Sequence, residues 1–200
     1  MRRNRRKVVT GLGLASGTVL ILVVTARFDQ PAQIAPAAYV PLLNVIAEAE
    51  SKGNYNAYFG HTANSKILFT NMTVAQVLAW QADYVQQGNY SNAVGRYQIV
   101  QGTLEGLVQR LDIDRNAKFD AALQDRLAIS LLERRGSEEF ADNELSQQQF
   151  AANLAQEWAS LPKAVGPNPE ESYYADDGVN KSLVGVDTVY GALVGLEHRK

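Results

Sequence analysis

LNVIAEAESKGNYN, residues 43–56, sets a helical apolar pattern around two glutamates and then breaks into a turn. Leu42, Leu43, Ile46 and Ala47 recur on one helix face, Pro41 fits a first helical position, and Gly53 fits a C-terminal cap. Glu50 follows Ile46 by four residues, Ala47 by three and Leu43 by seven, so it falls on the apolar face. Glu48 follows Asn44 by four and precedes Lys52 by four, which places it on the wet face with an ordinary ion pair. A carboxyl on an apolar face, in the last turn of a helix, is pushed toward its neutral form by desolvation and by the negative helix end. Followed by Tyr55, Tyr58 and Phe59, it has the setting of a general acid for glycosidic bond cleavage. The other reading of the pattern is a glutamate that ends the helix and points to solvent.

Outward from this helix the pattern predicts a mainly α, α+β domain. Residues 53–70, GNYNAYFGHTANSKILFT, set turn residues around short β-prone runs and predict a small hairpin lobe. Thr73 and Gln76 form a capping box that opens a helix running to Gly88. Further helices are expected from Thr103, from Phe119 to Gly136, over 145–160 with Pro162 stopping it, and from Val179 to Glu197. Gly191 and Gly195 in the last of these suit close packing on the domain core. Tyr173 and Tyr174 are read as pinning the tail, with stacking on sugar rings as the alternative.

Composition narrows the function classes. The 200 residues are 46% hydrophobic, enough for a real core. There is no cysteine and there are two histidines, His61 and His198, so neither a metal site nor a cofactor is expected. Residues 1–39 hold six basic side chains against one acidic, whereas residues 40–200 hold 13 basic and 20 acidic. The acidic part argues against nucleic acid as a partner.

The basic start has a different use. Residues 8–26, VVTGLGLASGTVLILVVTA, are uncharged and follow Arg2, Arg3, Arg5, Arg6 and Lys7. As a helix the run is roughly 28 Å long, close to the hydrocarbon thickness of a bilayer. It predicts a transmembrane signal anchor with residues 1–7 cytoplasmic, a linker at 27–40 and an exported domain at 41–200, placing the chain in the inner membrane with that domain in the periplasm. A cleaved signal peptide, and a glycine-rich helix able to leave the bilayer again, are the alternatives.

Four stretches together resemble a known family. LNVIAEAESKGNYN is similar to the start of lysozyme-like lytic transglycosylase domains, whose catalytic glutamate closes the first long helix and precedes a small residue, here Ser51. GRYQIV at 95–100 resembles their groove motif, and FDAALQDRLAISLLERRG at 119–136 and EWASLPKAVG at 157–166 follow in the same order. The nearest family is that of the phage lambda-type lysozymes, glycoside hydrolase family 104. The resemblance implies a lysozyme-like fold and cleavage of the β-1,4 bond between N-acetylmuramic acid and N-acetylglucosamine in peptidoglycan, with a 1,6-anhydro product. It implies Glu50 as the acid/base. Tyr97 and Gln98 would position the glycan, Gly95 would admit its close approach, and Ser51, Tyr55 and Tyr58 complete the expected substrate contacts. Trp158 reads as packing.

One check is independent of the resemblance. Two-carboxylate glycosidases need a second Asp or Glu about 5 to 9.5 Å from the acid. After Glu50 the next acidic residue is Asp83, so the segment behind the acid holds no partner, and Asp112, Asp114 and Asp120 are distant candidates. A hydrolytic muramidase and an inactive peptidoglycan-binding module stand as the competing functions.

Overall fold

The chain divides into two units, Met1–Ala32 and Gln33–Lys200, and the computed structural model describes residues 34–196, within the second. Among the described residues the helices are α1 (Val40–Ser51), α2 (Val74–Gln86), α3 (Gln101–Arg110), α4 (Ala121–Arg134), α5 (Ser137–Ala141), α6 (Gln147–Ala155) and α7 (Val186–Leu193). Short 3-10 turns lie at Pro36–Tyr39, Phe69–Asn71, Ala175–Asp177 and Val194–Leu196.

Helix α1 is the axis of the domain. Leu42 and Ile46 are wholly buried, and α1 packs on α4 and α7 through a core that includes Leu127, Leu131, Val189 and Leu193. Its end is sharper than the Gly53 cap expected from sequence. Lys52 itself takes the left-handed conformation, with φ +55°, and Gly53 follows at φ +75°. Both peptide N–H groups return to Ala47 O, so the chain reverses immediately after Glu50 and Ser51. Helix α2 opens on the expected capping box, with Gln76 N donating to Thr73 Oγ1 and Thr73 N to Gln76 Oε1.

The expected hairpin lobe forms no ladder. Residues 53–73 hold only single bridges, such as Tyr58 with His61 and with Val94. Three asparagine side chains take the place of strand pairing. Asn54 Nδ2 donates to Thr62 O and Asn64 O, both at 2.8 Å; Asn64 Nδ2 donates to Asn56 O and Ile67 O; and Asn56 Oδ1 accepts from Thr70 N at 2.9 Å. Side-chain amides that satisfy the backbone of a turn compete directly with a ladder.

Two boundaries differ as well. The last helix begins at Val186 and not at Val179, because residues 170–185 are tied to other segments, Glu170 Oε2 accepting from Val186 N at 3.0 Å. Pro36–Tyr39, inside the expected linker, is folded, with Tyr39 buried and its hydroxyl 2.9 Å from Ser137 Oγ. A Cβ on Gly195 would stand 3.2 Å from Ala38 O, a close approach of the Val194–Leu196 turn to this segment.

Residues 8–26, expected to span the inner membrane, lie outside the described residues. Among the described residues no helix is long and apolar enough to cross a membrane. The longest, α4, has 14 residues, roughly 21 Å, against the ~30 Å of a hydrocarbon core. The expectation of an inner-membrane location, with the membrane as a partner, is corrected on that finding.

Candidate active site

Glu50 occupies the last turn of α1, where the apolar spacing put it. The turn Trp158–Leu161, beyond the end of α6, closes over it. Ser160 Oγ donates to Glu50 Oε1 at 2.6 Å, and the Ser160 backbone adds a second hydrogen bond. Part of the Glu50 surface stays open to solvent, yet its carboxyl is packed closely enough that burial raises its pKa above the ordinary carboxylate value, against the opposing pull of the two Ser160 hydrogen bonds. Glu48, one turn-face away, makes the expected exposed pair with Lys52 at 3.2 Å. The two glutamates therefore have the separate settings, one half-buried and one exposed, that periodicity gives them.

The turn holding Glu50 is itself held. Trp158 is buried and its indole N–H donates to Tyr97 O at 3.2 Å. Ser172 Oγ donates to Ala159 O at 2.7 Å, and Leu183 N to Ser160 O at 2.8 Å. Ser51, also buried, sends its hydroxyl to Arg96 O at 2.7 Å. The end of α1, the 95–98 turn and the 158–161 turn thus form one connected frame around the Glu50 carboxyl.

The remaining expected substrate residues are engaged in hydrogen bonds and ring contacts within the fold. Tyr97 is 2% exposed, and its hydroxyl donates to Asp125 Oδ1 at 2.6 Å. Burial and the Asp125 charge push its phenol well above the usual range, so it stays protonated. It fastens the turn and offers no surface to a glycan. Tyr55 donates to the same carboxylate at 2.9 Å and accepts from Arg96 Nη1 at 2.7 Å, while Arg96 Nη2 donates to Asn44 Oδ1. Arg96 and Asp125 are in this way joined through the Tyr55 hydroxyl. Gln98, at φ +48°, turns its amide back onto Gly95 O at 2.9 Å. Tyr58 belongs to an aromatic cluster, stacked on His61 at 4.3 Å and edge-on to Trp80 at 5.4 Å.

Gly95 is needed for a reason other than sugar approach. It has φ +80°, and a Cβ there would collide with Gln124 Oε1 and stand 3.0 Å from Gln124 Cδ. Gln124 is buried, accepts from Arg96 N at 2.9 Å, and donates to Tyr55 O and Phe119 O. Buried Gln81 does the same from α2, donating to Asn92 O and Ile99 O at 2.9 Å. Two buried amides therefore clamp the 92–99 loop from opposite ends. Sequence reasoning missed both, although each sits on an apolar stripe of its helix, the signal that found Glu50. It also missed Ser160. Among the described residues no group of three His, Cys, Asp or Glu side chains is placed to hold a metal ion.

A family model described as Endolysin matches residues 40–178, which spans Glu50, the clamped loop and the Trp158–Leu161 turn. The chain belongs to the endolysin family. Endolysins are phage enzymes that degrade the bacterial cell wall, so this is a peptidoglycan-degrading enzyme on a mainly helical fold. No curated protein and no solved structure matches the chain.

Proposed function

We propose that this endolysin is a lytic transglycosylase of the lambda type, with Glu50 as its single acid/base. In this reading the protonated Glu50 donates to the oxygen linking N-acetylmuramic acid to N-acetylglucosamine, and the bond from the anomeric carbon to that oxygen breaks. The Glu50 carboxylate then takes the proton of the muramic 6-hydroxyl as that oxygen bonds to the anomeric carbon. The proton returns to Glu50, no water is consumed, and the product is the 1,6-anhydro sugar. Ser160 holds Oε1, which leaves Oε2 to carry the proton toward the substrate.

The observation that supports one carboxylate over two is that residues 51–82, the segment following Glu50, contain no Asp or Glu. The Glu50 pKa is raised by desolvation, as the general acid of either mechanism requires. Three other aspartates are engaged within the fold. Asp125 accepts from Tyr55 and Tyr97, Asp120 caps α4 through Leu123 N, and Asp114 accepts from Asn116 N. A hydrolase would need one of them free near the sugar.

The test is clearance of purified sacculi by the full chain and by Glu50→Gln. The proposal expects soluble muropeptides from the first and none from the second. Persistent release by Glu50→Gln would remove Glu50 from the chemistry, and binding without release by the wild type would make the chain a binding module.

A further inference from the structure

Residues 170–183 run beside the Trp158–Leu161 turn and are fastened to its neighbourhood repeatedly. Ser172 Oγ reaches Ala159 O, Lys163 N reaches Glu171 O at 2.8 Å, and Leu183 N reaches Ser160 O at 2.8 Å. Ser160 is the residue that holds Glu50, so two hydrogen bonds connect this segment to the acid. Among charged residues such as Glu171, Asp176, Asp177 and Lys181 it exposes three large apolar side chains, Tyr173 at 53%, Val179 at 54% and Leu183 at 51%.

The adjacent tyrosines have different fates. Tyr174 donates its hydroxyl to Gln156 O at 2.8 Å, which pins the segment as the sequence suggested. Tyr173 makes no hydrogen bond through its hydroxyl among the described residues, and its ring lies 5.1 Å from the Tyr174 ring at 70°. The pinned ring thus braces the exposed one. A ring already held in place loses little freedom when a ligand covers it, and a pyranose presents an apolar face of C–H groups that an aromatic ring can cover.

We propose that Tyr173 is a glycan-stacking residue and that residues 170–183 form a wall of the saccharide groove beside Glu50. The inference rests on the peptidoglycan reading above. Charge supports stacking as the source of affinity. Residues 40–200 hold 20 acidic against 13 basic side chains, so Coulomb attraction does not draw an acidic wall polymer to this domain. Affinity then comes from ring contacts and hydrogen bonds.

The test uses the full chain carrying Glu50→Gln, so that the ligand is not consumed, and measures binding to glycan strands freed of stem peptides. Adding Tyr173→Ala is expected to weaken binding about fivefold to tenfold, and Tyr173→Phe to leave it within about twofold. Tyr90→Ala removes an exposed tyrosine from the loop before Gly95, 71% exposed, and is expected to change little. Equal binding by Tyr173→Ala and its parent would overturn the inference. So would equal loss in Tyr173→Phe, which would assign the hydroxyl and not the ring, or equal loss in Tyr90→Ala, which would deny a localised site. Failure of the parent itself to bind glycan, with no muropeptide released by the wild type, would instead sink the peptidoglycan reading, and the two failures are read from different samples.

Discussion

Ser160 and Glu50 stand 110 positions apart in the chain and are joined by a hydrogen bond of 2.6 Å. The bond ties the only charged side chain on the buried stripe of α1 to a turn that α6 delivers. It both orients the carboxyl and opposes the desolvation that raises its pKa. Removing it separates these two effects, because one acts on rate and the other on pH dependence.

Ser160→Ala is expected to lower kcat on the order of tenfold, from loss of a hydrogen bond to a charged group. The first step needs protonated Glu50, so the rate falls as pH rises through its pKa. The Ser160 bonds lower that pKa, and removing the hydroxyl lets it rise further, which moves the alkaline limb to higher pH. Ser160→Thr keeps a donor and is expected to retain the original limb. A pH–rate profile of the three proteins checks this, and an unmoved limb in Ser160→Ala would show that the bond does not tune the acid.

Glu50→Gln is expected to stabilise the fold at neutral pH. The folded-state pKa of Glu50 lies above its unfolded value, so between the two the native state holds more protons than the unfolded chain and stability falls as pH rises. A neutral amide of the same shape avoids that loss and still accepts from Ser160. Thermal unfolding should show a higher Tm for the variant near pH 7 and convergence with the wild type below about pH 4, where both side chains are neutral. A lower Tm near neutrality would contradict the burial of this carboxyl.

Gly95→Ala should destabilise by about 2–4 kcal/mol. The new Cβ meets Gln124 and the backbone must keep φ +80°, so left-handed strain adds to displacement of a buried amide that serves three backbone groups. Urea unfolding measures it. A loss below about 0.5 kcal/mol would mean that the loop yields easily and is no clamp.

Tyr97→Phe removes one of the tyrosine donors to Asp125 and leaves the buried ring in place. Stability should fall by about 1–3 kcal/mol while KM for glycan strands stays within about twofold. A large rise in KM with little change in stability would return Tyr97 to direct contact with the substrate.

How much of this was legible in the chain follows from the range of each interaction. The placement of Glu50 depends on neighbours three, four and seven positions away, all on one helix, and periodicity reads that distance well. Ser160 depends on a contact across the whole domain, so the WASLP stretch shows a buried tryptophan and not the acid's partner. Gly95 and Tyr97 stand out as a motif, but a motif does not say what each residue packs against. Gln124 packs against Gly95 from 28 positions away from its backbone partner at Arg96. The absent hairpin had a local signal in Asn54, Asn56 and Asn64, since asparagine at this density favours side-chain-to-backbone turns over a ladder.

The most direct test of a single-acid transglycosylase is mass spectrometry of the muropeptides that the full chain releases from purified sacculi. The account predicts products lighter by one water than ordinary muropeptides, ending in the 1,6-anhydro sugar, and none with Glu50→Gln. Full-mass products with a reducing end would contradict it, because they require water at the anomeric carbon and a second carboxylate to direct it.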